Sequence, residues 1–162
     1  MSICFEPIGY VRTDLTDDEV RRAERPFTSY IIIYDRYADG LSGLEGYSHI
    51  IVISYLHKLR DFERGVLRVR PRRLMRYGLK YEELPEVGVF AVDSPARPNP
   101  IGLSIARVLR IDGSVITVTG LDLFSGTPVL DIKPYSYERV VRDFSVPSWY
   151  QDLIKRTGLE SV

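Results

Sequence analysis

The chain has 162 residues, of which 44% are hydrophobic, and its 22 basic and 22 acidic side chains cancel. This length and apolar content predict one domain with a buried core, spanning residues 1–162. The balanced charge produces no overall field that would favour nucleic acids or membranes. The single cysteine, Cys4, excludes an internal disulfide framework. One cysteine and two histidines are also too few ligands for a structural zinc site, so we expect no metal.

The sequence shows no targeting or membrane segment. Glu6 and Arg12 interrupt the first residues before the apolar core of a signal peptide could form. The longest apolar run, Ile50–Leu56, is far too short to span a bilayer. We therefore expect a cytoplasmic protein with no membrane partner.

Strand-like segments outnumber helical ones along the chain. Runs rich in Val, Ile and Tyr predict strands at Phe5–Arg12, Ser29–Tyr34, Ile50–His57, Val87–Val92, Leu103–Ile111, Val115–Leu121 and Val129–Tyr135. Asp112 and Gly113, between two of these strands, predict a type I′ hairpin. Short intervals between strands and few crossover helices favour a mainly β fold, a closed or nearly closed single-sheet barrel with short peripheral helices.

Two helices have recognisable ends. Thr16 followed by Glu19 is a capping box, which predicts a short helix continuing to about Glu24. Ser148 begins a second, C-terminal helix, which Gly158 can end.

A basic arm, defined here as residues 58–80, departs from the neutral average. Its seven arginines include Arg70, Arg72 and Arg73, and Tyr77 and Tyr81 lie close to them. Arginine at this density beside tyrosine is typical of surfaces that bind RNA phosphates and stack on bases. The alternative is a solvated face that pairs with the acidic N-terminal region, across a dimer interface for example.

The proline loop, residues 93–100, is the most informative segment. Its three prolines fix the backbone and remove amide donors, which excludes a helix or a central strand. Arg97 and Asn99 lie between the prolines, and both form directional hydrogen bonds. The loop is therefore interpreted as either a ligand-binding loop or a structural corner.

Two other polar positions follow or precede predicted strands. His57 and Lys58 come directly after an apolar strand, where they could bind a carboxylate or hydroxyls or only end the strand. The turn Asp122–Ser125 precedes another strand, and its amides and Asp122 could hold a ligand or only cap the turn. The sequence contains no Gly-rich dinucleotide motif, no phosphate-binding P-loop and no serine-hydrolase elbow.

Three blocks of sequence resemble the TsaA-like (YaeB/TrmO) family. They are Gly88–Ala91 leading into Ser94–Gly102, Gly43–Ile50, and Leu121–Tyr135. The blocks are long, occur in the family's order and are correctly spaced, and the resemblance extends over about residues 8–135.

The resemblance implies a small single-sheet β-barrel that binds S-adenosylmethionine and forms a homodimer. Members of this family methylate N6 of threonylcarbamoyladenosine beside the tRNA anticodon, which would make tRNA a partner. The resemblance assigns cofactor contacts to His57, Lys58, Asp93, Leu103, Asp122, Leu123, Phe124 and Ser125. Arg97, Asn99 and the three arginines of the basic arm named above are candidates for substrate binding. No residue is assigned as a catalytic base.

Two departures from the family pattern affect this interpretation. Asp93 stands where the family usually has arginine, and the Pro-Arg-Gln cofactor motif of the bacterial members has no counterpart. Two alternatives therefore stay open: a methyltransferase of the same fold with another substrate, and a non-catalytic module that binds S-adenosylmethionine. Asp93 could contact the cofactor's ribose or approach its sulfonium, or it could cap the proline loop at the Ala96 amide.

Overall fold

Six antiparallel strands close into a barrel in the computed structural model, which describes residues 3–158. In chain order the strands are β1 (Gly9–Arg12), β2 (Thr28–Ile33), β3 (His49–Tyr55), β4 (Arg68–Val69), β5 (Val87–Gly88), β6 (Ile101–Asp112), β7 (Val115–Thr119) and β8 (Pro128–Pro134). The barrel order is β1-β2-β7-β6-β3-β8, and β8 returns to pair with β1. This arrangement confirms the predicted mainly β barrel.

The described residues form two units. The first comprises the residues up to Lys58 together with Pro100–Arg139, and it contains the barrel and the helix α1 (Asp17–Arg22). The second comprises Leu59–Asn99 and the residues from Val140 onward, and it contains the helix α2 (Ser148–Thr157). The prediction of one domain over residues 1–162 stays a prediction.

Alternating side chains fill the barrel, because successive residues of a strand point to opposite faces. Val11, Ile31, Ile50, Val52 and Ile116 are fully buried in this core. Removing such side chains from water is the main stabilising contribution to the barrel.

The hairpin between β6 and β7 differs from the predicted turn type. Asp112 pairs with Val115, so Gly113 and Ser114 form the two-residue loop. Gly113 has φ of 56°, but φ of Ser114 is not positive. A type I′ turn needs positive φ at both central residues, so the hairpin is confirmed and the type I′ prediction is wrong.

The second unit contains little extended structure. β4 and β5 form a two-stranded sheet, and Leu74, Leu79, Leu84 and Leu153 form a small core. The predicted strand Val87–Val92 is wrong beyond Gly88, because Val89–Ala91 form a turn of 3₁₀ helix. The Arg97 side chain donates to the carbonyl oxygens of Val89 and Val92, which favours this turn over a strand pairing.

Both predicted helices are present. The Thr16 amide donates to Glu19 Oε2 at 2.8 Å, and the Glu19 amide donates to Thr16 Oγ1 at 3.3 Å, which confirms the capping box. α1 ends at Arg22, two residues before the predicted end. Gly158 ends α2 with φ of 72°. Within residues 3–158, no helix is long and apolar enough to cross a membrane.

Candidate functional site

The polar residues that follow β3 and precede β8 lie at one end of the barrel. These strands are antiparallel neighbours, so the end of β3 and the beginning of β8 are at the same edge. Lys58 lies beyond β3, and its Nζ is 5.2 Å from the centre of the Phe124 ring. The structure therefore brings together two of the positions that the sequence assigns to the cofactor. We call Lys58, Phe124 and the side chains that contact them the barrel-end site.

Hydrogen bonds hold the turn Asp122–Ser125 in place. Ser125 Oγ donates to the Thr13 carbonyl oxygen and accepts from the Thr13 amide, both at 2.9 Å. The Gly126 amide donates to the Val11 carbonyl oxygen at 2.8 Å. Ser125 therefore fixes the turn to the chain that leaves β1, and its hydroxyl is engaged within the protein.

Two residues of α1 complete the barrel-end site. Lys58 Nζ lies 2.7 Å from both carboxylate oxygens of Asp17. The Arg21 guanidinium carbon lies 4.8 Å from the centre of the Phe124 ring. Sequence reasoning identified α1 from its capping box but missed this role. The acids in the first turn of α1 and the arginines in its last turn were the available signal. Only the fold shows that Asp17 contacts Lys58 and that Arg21 contacts Phe124.

His57 lies beside this charge pair and is partly buried. Burial lowers the pKa of His57, the positive charge of Lys58 lowers it further, and the negative charge of Asp17 opposes both effects. The ring is therefore mainly neutral at pH 7, and a neutral imidazole can both donate and accept hydrogen bonds.

The remaining predicted cofactor residues of the first unit differ in exposure. Leu103 lies on β6 opposite Ile53, and 66% of it is exposed on the outside of the barrel. Leu123 is only 5% exposed and packs in the barrel core, so its side chain serves the fold. Asp122 is exposed and makes an interaction within the protein.

Residues 93–99 of the proline loop belong to the second unit, and Arg97 organises them. Its guanidinium donates to the carbonyl oxygens of Ser94 at 2.8 Å, Val89 at 2.9 Å and Val92 at 2.5 Å. These three bonds identify a structural function for Arg97; its predicted contact with substrate stays a prediction. The Ala96 amide donates to Ser94 Oγ at 3.3 Å. Ser94 therefore caps the loop at this amide, the role that the sequence analysis allowed for Asp93.

Asp93 and Asn99 are both exposed in the second unit. The predicted contacts of Asp93 with the cofactor and of Asn99 with the substrate stay predictions.

Two arginines of the basic arm contact the same aromatic ring. The Arg70 and Arg72 guanidinium carbons lie 5.2 and 5.3 Å from the centre of the Tyr81 ring. Arg70 also donates a close hydrogen bond to the carbonyl oxygen of Leu84, so part of its function is structural. Arg72 and Arg73 are exposed on the same helical turn, Arg72–Tyr77.

The barrel-end site can bind a ligand that has both polar and cationic parts. An aromatic ring attracts cations through its negative face, and the carboxylate of Asp17 adds a full negative charge. Lys58 and Arg21 supply donors for an anionic group. The site therefore offers complementary charges to S-adenosylmethionine, whose sulfonium is positive and whose amino-acid end carries both charges.

Comparisons with known proteins agree with this fold. Residues 21–139 match the family model of the tRNA-methyltransferase O N-terminal domain. A relative from Methanothermobacter thermautotrophicus, named a probable S-adenosyl-L-methionine-binding protein, is 40% identical over 143 residues, covering 86% of this chain and 94% of that protein. A human relative, named tRNA (adenine(37)-N6)-methyltransferase, is 34% identical over 145 residues, covering 85% of this chain and 31% of that protein.

The fold is also similar to solved structures. A crystal structure of TrmO superimposes with a TM-score of 0.67 and 29% identity, covering 90% of this chain. The chain spans 63% of the length of that protein. Because the family model covers most of the chain, the protein belongs to the tRNA-methyltransferase O N-terminal domain family.

Proposed function

We propose that this protein is an S-adenosylmethionine-dependent methyltransferase that modifies tRNA. The observation that carries the proposal is the assembly of Lys58 and the Phe124 turn at one barrel end. It occurs in a chain that matches 94% of an archaeal relative named for S-adenosylmethionine binding. The human relative is named a tRNA methyltransferase.

The proposed substrate atom is N6 of threonylcarbamoyladenosine beside the anticodon. In S-adenosylmethionine the methyl group is bonded to a positive sulfur, which leaves as a neutral thioether when a nucleophile attacks the methyl carbon. The N6 nitrogen is conjugated with a carbonyl and is a weak nucleophile, so alignment of the two reactants would be the main contribution of the protein. The proton released from N6 must go to a base, and we assign no residue to that role.

Within the first unit, the residues proposed to hold the cofactor are His57, Lys58, Leu103 and the turn Asp122–Ser125. A neutral His57 can accept a hydrogen bond from a ribose hydroxyl, which an imidazolium cannot do. Leu103 presents an exposed apolar side chain that could cover an adenine ring. His57 would thus bind the polar ribose of the cofactor, and Leu103 would cover its apolar adenine.

The RNA would bind to exposed arginines of the basic arm. Arg72 and Arg73 occupy one helical turn, and the nearby Tyr81 offers a ring for stacking. Since tRNA is the partner, the proposal places the protein in the cytoplasm. Replacing Arg72 and Arg73 with Ala is expected to weaken tRNA binding and reduce its salt dependence, because fewer counterions are released. Unchanged binding and salt dependence would contradict this assignment.

The proposal includes a homodimer. Ile101, Leu103 and Ile105 form an exposed apolar row on the outside of β6, and such rows are typical of interaction surfaces. Ile105→Glu is expected to convert a dimer to a monomer in light scattering after size exclusion. A parent protein that is monomeric at high concentration would contradict the dimer.

Calorimetric titration with S-adenosylmethionine tests the cofactor assignment. The parent protein is expected to bind and to melt at a higher temperature with excess ligand, because the ligand binds only the folded state. No heat and no thermal shift at millimolar ligand would contradict it. Binding without methyl transfer to tRNA would instead favour the non-catalytic module, and transfer to another acceptor would favour a different substrate.

Asp93→Asn tests the departure from the family pattern. If Asp93 contacts the cofactor, the variant binds S-adenosylmethionine more weakly at unchanged thermal stability. Unaltered affinity would show that Asp93 has no part in cofactor binding.

A further inference from the structure

The ion pair between Asp17 and Lys58 places one full negative and one full positive charge side by side in the barrel-end site. Lys58 Nζ contacts both carboxylate oxygens of Asp17 at 2.7 Å, and each side chain is 34% exposed. Both groups are therefore accessible to a ligand but partly screened from bulk water. The pair also lies beside Phe124, whose ring contacts Lys58 and Arg21.

The charges around this ring are mixed in sign. Lys58 and Arg21 are positive, and the first turn of α1 carries the acids Asp17, Asp18 and Glu19. Arg21 is itself paired with Asp18 at 3.0 Å. A simple anion such as phosphate is attracted by two of these groups and repelled by three, so the site is poorly suited to an RNA backbone.

A zwitterion can replace the internal ion pair without changing the charge of the site. The ammonium and carboxylate of an α-amino acid are attached to one carbon, so they can face Asp17 and Lys58 together. Charge-assisted hydrogen bonds then form on both sides, and neither protein charge is left unpaired. The Phe124 ring provides an apolar surface for the methylene groups that follow.

We propose that Asp17 and Lys58, beside Phe124, bind the zwitterionic amino-acid end of the cofactor. The inference rests on the proposed use of S-adenosylmethionine, and it adds Asp17, which the sequence did not assign. In this arrangement Asp17 binds the ligand's ammonium and Lys58 its carboxylate, and the Asp17–Lys58 contact opens when the ligand enters.

Two nucleosides isolate the amino-acid end. S-adenosylhomocysteine and 5′-methylthioadenosine both contain a neutral thioether, but only the first carries the ammonium and carboxylate. Titration calorimetry gives both affinities for the parent, Asp17→Asn, Asp17→Glu and Lys58→Met. We expect Asp17→Asn and Lys58→Met each to weaken the binding of S-adenosylhomocysteine at least about tenfold, which is the effect of losing one charge-assisted hydrogen bond. The affinity of these variants for 5′-methylthioadenosine stays within about twofold of the parent's. Asp17→Glu keeps most of the parent's preference for S-adenosylhomocysteine over 5′-methylthioadenosine.

Asp112→Asn is the matched control, because Asp112 forms an exposed ion pair with Arg110 in the same unit, at the other end of the barrel. It should change neither affinity. If Asp17→Asn weakens the binding of both nucleosides equally, the ion pair only supports the fold, and the inference is overturned. An unchanged affinity ratio in both variants would also overturn it. If the parent protein binds neither nucleoside, nor S-adenosylmethionine, the proposed function fails together with this inference.

Discussion

Gly102, at the beginning of β6, is packed too closely for any side chain. A Cβ added there would lie 2.6 Å from Ser54 Oγ and 3.0 Å from Leu56 Cδ2. Ser54 is completely buried on β3, so its hydroxyl cannot move into solvent. Because an extra methyl group in a tight core costs about 1–3 kcal/mol, we expect Gly102→Ala to destabilise the protein by about 2 kcal/mol. For a chain of this length the melting temperature would fall by about 4–8 °C.

A second substitution identifies the atom responsible. Ser54 Oγ has no hydrogen-bond partner among the described residues, so Ser54→Ala should be neutral or stabilise by about 1 kcal/mol. In the double variant the nearest clash is gone, and only the contact with Leu56 remains. We expect a coupling of about 1 kcal/mol between the two substitutions, in the direction of rescue.

Urea denaturation followed by circular dichroism measures these free energies of unfolding. Gly40→Ala is the matched control, because a Cβ at Gly40, in the same unit, would meet no atom within 4 Å. It should change stability by less than about 0.5 kcal/mol. Equal destabilisation by Gly102→Ala with and without Ser54→Ala would refute the packing argument, as would an equal loss from Gly40→Ala.

Four further predictions concern side chains described above. Lys58→Met should raise the pKa of His57 towards 6.5 in a proton NMR titration, because a nearby positive charge is removed, and an unmoved or lower pKa would contradict this. Since the folded-state pKa of His57 is lowered, its stabilising contribution is present above about pH 6.5 and is lost as the pH falls through the folded-state pKa. In urea unfolding curves, His57→Gln should therefore lose less stability than the parent between neutral and acid pH. Arg97→Lys should destabilise the protein by about 2 kcal/mol in urea, because lysine cannot reach three carbonyl oxygens. A neutral result would refute the structural function of Arg97. Arg70→Ala should lower the melting temperature more than Arg72→Ala, because Arg70 also bonds the Leu84 carbonyl oxygen.

The barrel could be predicted because its strands have local signals. Alternating apolar residues such as Ile31 and Ile33 identify β2, and Thr16 with Glu19 identifies the start of α1. These signals depend on residues that are close in sequence. The strand order of the barrel does not, because it depends on pairings between distant segments, such as β1 with β8.

The candidate site could be predicted only in part for the same reason. His57, Lys58 and the Phe124 turn were recognised as polar positions at strand ends. The contact of Asp17 with Lys58 joins residues separated by 41 positions, and no local pattern indicates it. The Arg97 guanidinium donates to the backbone carbonyl oxygens of Ser94 and Val89, and its place between prolines does not indicate this structural function.

Methyl transfer to tRNA is the most direct test of the proposed function. The purified protein is incubated with S-adenosylmethionine carrying an isotopically labelled methyl group and with tRNA that contains threonylcarbamoyladenosine. Nucleosides from the digested tRNA are then analysed by mass spectrometry. The account predicts one labelled methyl group on threonylcarbamoyladenosine, and none when the protein or this modification is omitted. If the protein binds the cofactor but the threonylcarbamoyladenosine of the tRNA stays unlabelled, the central claim is contradicted.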